Sequence, residues 1–266
     1  MMRAAWMVLA AALPLAAQPE LLVNAKVDTH HAAQGLDGEF QALVSATPQP
    51  AWIAYSVPST GTAALGCEFV SRDGAWWSNG TVHLEPPGHA LILFRVAAGA
   101  VERIRALSPD CEIDAGQAPF HWIADVAPAQ SVALLAAFAT RESPLLAAVS
   151  AIAVHGDPAA TDALVSLVQS GKDAKVRAQA VRELGHRGGA QAVAAIGAAL
   201  DKDSDPGLQR AACAALQSLP GGVGIPRLIQ LAREARNREL RRQAMTSLQN
   251  SHDPRALVFF EEVLAK

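Results

Sequence analysis

The groups with chemistry to offer are eight histidines, three cysteines and a scatter of serines, and their spacing decides what they could do. His30 and His31 are adjacent. On a strand, neighbours face opposite ways, so that pair cannot close on one metal ion. His83, His89 and His121 share the first half of the chain and could converge. Their spacings match no ligand pattern, and no carboxylate is placed with them, so no metal site is expected. Ser131, Ser143 and Ser166 lack the Gly-x-Ser-x-Gly context of a nucleophile elbow. Neither catalytic residues nor a cofactor are therefore expected. Trp52, Tyr55, Trp76 and Trp77 could form an aromatic patch for a sugar or peptide, or could fill the core of a small β domain.

The cysteines depend on the compartment. Cys67 and Cys111 are natural disulfide partners in an oxidising one and two free thiols in the cytosol. A bridge there would contribute about 2–4 kcal/mol. Cys213 is expected to act as a small buried hydrophobe rather than a nucleophile. The N-terminus favours export. Arg3 precedes the apolar run Ala4–Leu13, followed by Pro14 and small residues to Ala17. That is the layout of a signal peptide over residues 1–17, and the run is short of the ~20 residues that span a bilayer. No Cys follows it, which argues against a bacterial lipid anchor, and no later segment could cross a membrane. The expected location is periplasmic or extracellular.

Charge divides the chain. Residues 1–140 hold 6 Lys/Arg against 12 Asp/Glu, and residues 141–266 hold 16 against 13. Neither half is basic enough for a nucleic-acid footprint.

The elements that must position these groups announce themselves by a 32-residue period in the second half. One column reads Ile152, Leu184, Leu216, Leu248, and another, four residues earlier, Ala148, Ala180, Ala212, Ala244. A third runs Val132, Leu164, Ile196, Leu228, Phe260, and a fourth Ala136, Val168, Leu200, Ala232, Leu264. Cys213 falls in the column of Val149, Val181 and Met245. A fixed period of this length marks stacked units that bury their apolar faces only against neighbours. Each unit predicts two helices. One kind starts after Asp173, Asp205 or Asn237, residues that cap free amides. The other kind covers 129–140, 159–170, 190–200, 224–234 and 254–265. Gly-, Pro- and Asp-containing turns separate them.

The frame Asp-x-x-Val/Leu-Arg-x-x-Ala-x-x-x-Leu, clean at Asp173–Leu184, resembles HEAT repeats of the short, alanine-rich kind also seen in phycobilin-lyase-like proteins. Gln209 replaces the arginine in the next copy and Asn237 the aspartate in the one after. In the first copy Arg141 and Pro144 stand where Asp and Val belong. The resemblance covers residues 125–266. It implies a superhelix of antiparallel helix pairs whose concave wall is lined by the helices beginning at Pro144, Asp173, Asp205 and Asn237. Lys175, Arg182, Arg210, Gln217 and Arg242 would then face a partner, or form an ordinary solvated face. Arg177 and Arg241 would reach the Asp/Asn caps of adjacent units.

Residues 18–124 read as a small antiparallel β-rich domain, with strands at 21–27, 51–57, 67–70, 81–85, 89–96 and 101–107. The last two form a hairpin across Gly99. The expected fold is thus a β-rich domain followed by an α-solenoid. The expected function is an exported, non-enzymatic scaffold that binds another protein with an acidic surface. Alternatives are a ligand sensor or carrier working through the β domain, and a lyase-like repeat enzyme. Catalytic HEAT families of the deoxyhypusine hydroxylase type repeat His-Glu pairs along the array, and this sequence has no His-Glu dipeptide.

Overall fold

A computed structural model describes residues 21–33, 35–47, 50–59, 65–71, 74–78, 88–141 and 145–265. The signal segment, His83, the strand expected at 81–85 and Pro144 lie outside them.

The repeat half forms α2 (Pro128–Ala139), α3 (Leu146–Ala153), α4 (Pro158–Ser170), α5 (Ala174–Arg187), α6 (Ala190–Lys202), α7 (Pro206–Ser218), α8 (Ile225–Glu234), α9 (Arg238–Gln249) and α10 (Pro254–Leu264). Local chemistry sets their starts. The side chains of Asp157, Asp173, Asp205, Asn237 and Asp253 accept backbone N–H bonds from the first turns of α4, α5, α7, α9 and α10. Each such cap stabilises by about 1 kcal/mol. The alanine column is fully buried at all four positions. Small side chains there let α3, α5, α7 and α9 stack side by side as one layer. Gly185 makes the closest approach: a Cβ on it would sit 2.7 Å from the Ala215 backbone of α7. Helices α2, α4 and α6, then α8 and α10, form the second layer.

A further column ties the units together. Arg177 Nη1 donates to the Gly171 carbonyl at 2.9 Å, Gln209 Nε2 to Asp203 at 3.2 Å, and Arg241 Nη1 to Ala235 at 2.9 Å. Each acceptor lies six residues upstream, at the end of the preceding helix, where carbonyls lack helical partners. Gln209 therefore does the arginine's work. The arginines do not reach the Asp/Asn caps of adjacent units, because those caps are engaged by their own helices. Arg177 does cross to the next unit, where it pairs with Asp203 at 2.9 Å.

The first half contains β1 (Leu22–Val23), β2 (Lys26–His31), α1 (Leu36–Ala46), β3 (Ala51–Pro58), β4 (Cys67–Ser71), β5 (Gly74–Ser78), β6 (His89–Ala97), β7 (Ala100–Leu107), β8 (Ile113–Asp114) and β9 (Pro119–Ala124). The main sheet has the order β2-β9-β3-β6-β7. The expected hairpin is β6–β7, and β3–β6–β7 is antiparallel. The rest corrects the antiparallel expectation. Strand β9 lies parallel to both β2 and β3, between two strands joined by α1. This is a split βαβ arrangement, possible only because α1 carries the chain across the sheet. That helix was not anticipated, although Leu36, Phe40, Leu43 and Val44 place one buried stripe along it.

One face of the sheet, including Ile53, Tyr55, Ile92, Phe94 and Ile123, merges with α1, α2 and α3 into an apolar core that continues to α10. Phe94 sits at the join, with ring centroids 4.7 Å from Phe40, 5.8 Å from Tyr55 and 5.8 Å from Phe138. The other face packs Leu91, Leu93, Phe120 and Trp122 against Cys111. There a Cys67–Cys111 disulfide, Cα atoms 5.3 Å apart, ties β4 to the segment after β7.

Candidate functional site

On the α3–α5–α7–α9 layer, Lys175, Arg182, Arg210 and Arg242 are exposed and Gln217 is half-buried. Arg210 and Arg242 are one period apart, on α7 and α9. Their partners differ. Arg242 pairs with Glu239 one turn earlier, at 2.5 Å, so its charge is answered locally. Hydrogen bonds from Arg242 and Gln243 hold the Glu239 carboxyl down at about 2. Gln217 spends its amide on the Asn250 carbonyl at 3.1 Å, linking α7 to the end of α9. Arg182 donates to the neutral Gln179 amide at 3.1 Å. Among the described residues, neither Lys175 nor Arg210 has a side-chain hydrogen bond or ion pair.

Where the sheet meets the array, three polar side chains form a chain in the core. The Tyr55 hydroxyl of β3 lies 2.8 Å from Ser131 Oγ on α2, and Ser131 Oγ lies 2.8 Å from His155 Nε2. His155 Nδ1 is 2.9 Å from the Ala151 carbonyl, which can only accept. Nδ1 therefore carries the proton, Nε2 accepts from Ser131, and Ser131 accepts from Tyr55. All three are fully buried. Burial lowers the His155 pKa to about 4, against the pull of its bond to Ala151, and raises that of Tyr55 despite its bond to Ser131. A serine beside a neutral imidazole has the makings of a nucleophile. With no exposed surface on either residue, this pair instead pins β3 to α2 and the end of α3. Backbone bonds seal the join: Gly156 N–H donates to the Pro58 carbonyl at 2.9 Å. Sequence spacing offers no route to this trio, since Tyr55 and Ser131 are 76 residues apart.

The aromatic residues do not gather into one open patch. Tyr55 is in the core, and Trp52 is half-buried, with the Arg95 and Arg105 guanidinium groups 5.5 and 5.7 Å from its ring. Trp76 and Trp77 follow one another on β5, and their side chains lie outside the described residues. Cys213 is buried and its thiol is pushed up to about 12 by that burial, as a small core hydrophobe should be.

The histidines regroup. His30 and His31 point to opposite faces as expected, and His31 meets Asp125 at 3.0 Å. His89 begins β6 opposite Pro58, whereas His121 aligns with Ile53. Those positions are five residues apart on β3, or about 16 Å. His121 instead finds His30, because parallel pairing of β2 with β9 sets Asp28 opposite His121 and His30 one pleat further on the same face. His30 Nε2 lies 3.1 Å from His121 Nδ1 and 3.3 Å from Asp28 Oδ2, and His121 Nδ1 lies 3.9 Å from the same oxygen. Glu39 on α1 approaches from behind, its Oε1 3.3 Å from His30 Nδ1. The expectation that no carboxylate accompanies the histidines fails here. Both acids were present in the sequence, but nothing local placed them. Burial, and then the neighbouring His30, lower the His121 pKa against the opposing pull of Asp28.

Residues 132–217 and 167–249 each match the family model described as HEAT repeats. No curated protein matches the chain.

Proposed function

We propose that this chain, whose residues 132–249 are HEAT repeats, is an exported, non-enzymatic scaffold that binds a partner protein with an acidic surface. The binding face is the α3–α5–α7–α9 layer. The observation that carries this reading is the row of exposed cations there: Lys175 and Arg210, which make no hydrogen bond or ion pair among the described residues although Glu239 feels the Arg210 charge, and Arg182, which is bonded to the neutral Gln179. A solvated cation is cheap to bring against a carboxylate, and charge complementarity steers encounter more than it adds affinity. Arg242 and Gln217 join the footprint as rim residues, since their polar groups are already engaged. Export agrees with the apolar N-terminal run and with the Cys67–Cys111 bridge, which persists in oxidising compartments. HEAT repeats offer a continuous lateral surface, and function on such a scaffold resides in the side chains it presents.

The test is affinity capture from the periplasmic or extracellular fraction, with the double variant Arg182→Glu, Arg210→Glu beside the unaltered chain. The expected result is loss of the captured partner, together with weaker capture by the unaltered chain as salt is raised. Equal capture by both proteins would remove the acidic-partner reading.

A further inference from the structure

We propose that Asp28, His30 and His121 form a mononuclear site for a divalent transition ion of the zinc class, with Glu39 positioning His30. Three observations converge on it. The first is distance. A tetrahedral ion with bonds of about 2.0–2.1 Å sets its ligand atoms roughly 3.3 Å apart, whereas octahedral coordination at the same bond length sets them about 2.9 Å apart. His30 Nε2, His121 Nδ1 and Asp28 Oδ2 are separated by 3.1, 3.3 and 3.9 Å, nearer the tetrahedral edge. Only the Asp28 carboxylate must close in, and it is 68 % exposed on an edge strand, free to turn.

The second is the crowding of lone pairs. His30 Nδ1 faces the Glu39 carboxylate at 3.3 Å, an acceptor, so the proton of a neutral His30 belongs on Nδ1. Its Nε2 then carries a lone pair, 3.1 Å from His121 Nδ1 and 3.3 Å from Asp28 Oδ2, another lone-pair bearer. Two acceptors at 3.3 Å repel unless something positive lies between them. The His121 Nδ1 proton can serve one of the two; a divalent cation serves all three groups at once.

The third is the shell behind the ligands. A carboxylate on the far nitrogen of a ligating histidine fixes its tautomer and raises its basicity, and Glu39 stands at that position. The ligands come from two strands in fixed register, and Glu39 from a helix whose N-terminus is held by the Gln130 side chain, which accepts from Leu36 N–H at 3.2 Å. Three protein ligands leave the fourth tetrahedral position open on the Asp28 side, where water or an anionic ligand would complete the sphere.

The experiment titrates the chelator-stripped full-length chain with Co²⁺ and then with Zn²⁺. One equivalent of Co²⁺ should give the intense visible bands of four-coordinate cobalt, and Zn²⁺ should abolish them. Asp28→Asn and His121→Ala should each weaken binding 100-fold or more, and Glu39→Gln about 10- to 100-fold. His31→Ala, on the opposite face, should leave binding unchanged. Asp28 is exposed, so its variant tests the site even where loss of His121 harms folding. Absence of a one-to-one cobalt spectrum would overturn the proposal, as would binding that survives both Asp28→Asn and His121→Ala at full strength.

Discussion

The sheet half and the repeat half solve the same problem, burying apolar area, by opposite means. In the repeats each unit leans on the next, and every ordering contact lies within about one period: caps two or three residues away, the carbonyl ties six away, the Ser150–Glu183 hydrogen bond 33 away. In the sheet half the decisive contacts are long. His30 meets His121 across 91 residues, Asn24 meets Asp114 across 90, and Leu36 N–H meets Gln130 across 94. A modular stack yields an extended face with little enclosed chemistry. Non-local pairing can bring unlike polar groups to one point, and both side-chain clusters described above, Tyr55–Ser131–His155 and Asp28–His30–His121, depend on it.

The comparison can be broken hardest at the join. Phe94→Ala removes the ring at the meeting point of sheet and array, and should cost about 3–5 kcal/mol. Because the core is continuous, denaturation followed by tryptophan fluorescence (all tryptophans beyond residue 17 lie in the first half) and by helical circular dichroism should shift together. Separate transitions would mean the halves are independent bodies. Replacing Cys67 and Cys111 by serine should cost about 2–4 kcal/mol, with amide exchange accelerating in β4 and after β7 while α7–α9 keep their protection.

Within the array, Gly185→Val forces a side chain into the Ala215 backbone and should destabilise by about 1–3 kcal/mol, measured by urea unfolding. The neighbouring Gly189, with open space at its Cβ position but a left-handed φ of 87°, reports backbone strain alone and serves as the contrast. Acid sharpens the join differently. The folded His155 pKa lies at about 4, below the unfolded value of about 6.5, so between these the unfolded chain binds more protons. This histidine's contribution is complete above pH 6.5 and declines as pH falls, by up to about 1.4 kcal/mol per unit, until about pH 4. Melting temperature against pH should therefore slope less for His155→Gln than for the unaltered chain. The smallest effect is expected at the far end. Leu264 belongs to the column of Leu200, yet it is 86 % exposed where Leu200 is 6 %. Leu264→Ser should change stability by no more than about 0.5 kcal/mol, while Leu200→Ala costs about 2–5 kcal/mol.

Leu264 also shows where periodicity stops informing: a column predicts burial only where another unit stacks upon it. At the other end, Ser131 sits in a helix whose apolar register was correctly expected, yet its hydroxyl bonds two residues that no period relates. The α1 stripe is legible from Leu36, Phe40, Leu43 and Val44, although the strand-like stretches around it conceal it. Without α1 the parallel placement of β9 cannot be deduced, and without β9 the histidines stay scattered.

The sequence by itself determined the helix positions of the array, the caps at Asp173, Asp205 and Asn237, the alanine-lined stacking layer and which two cysteines could pair. These follow from capping chemistry, from side-chain volume at a fixed period and from a choice of only two cysteines in one half. Tertiary structure alone decided that His30, His121, Asp28 and Glu39 share a corner, that Tyr55 reaches Ser131, and which side chains the cations on the stacked layer bond. Those outcomes depend on strand order and on partners many tens of residues away, and strand order is chosen by the global burial of the sheet, which no local pattern encodes.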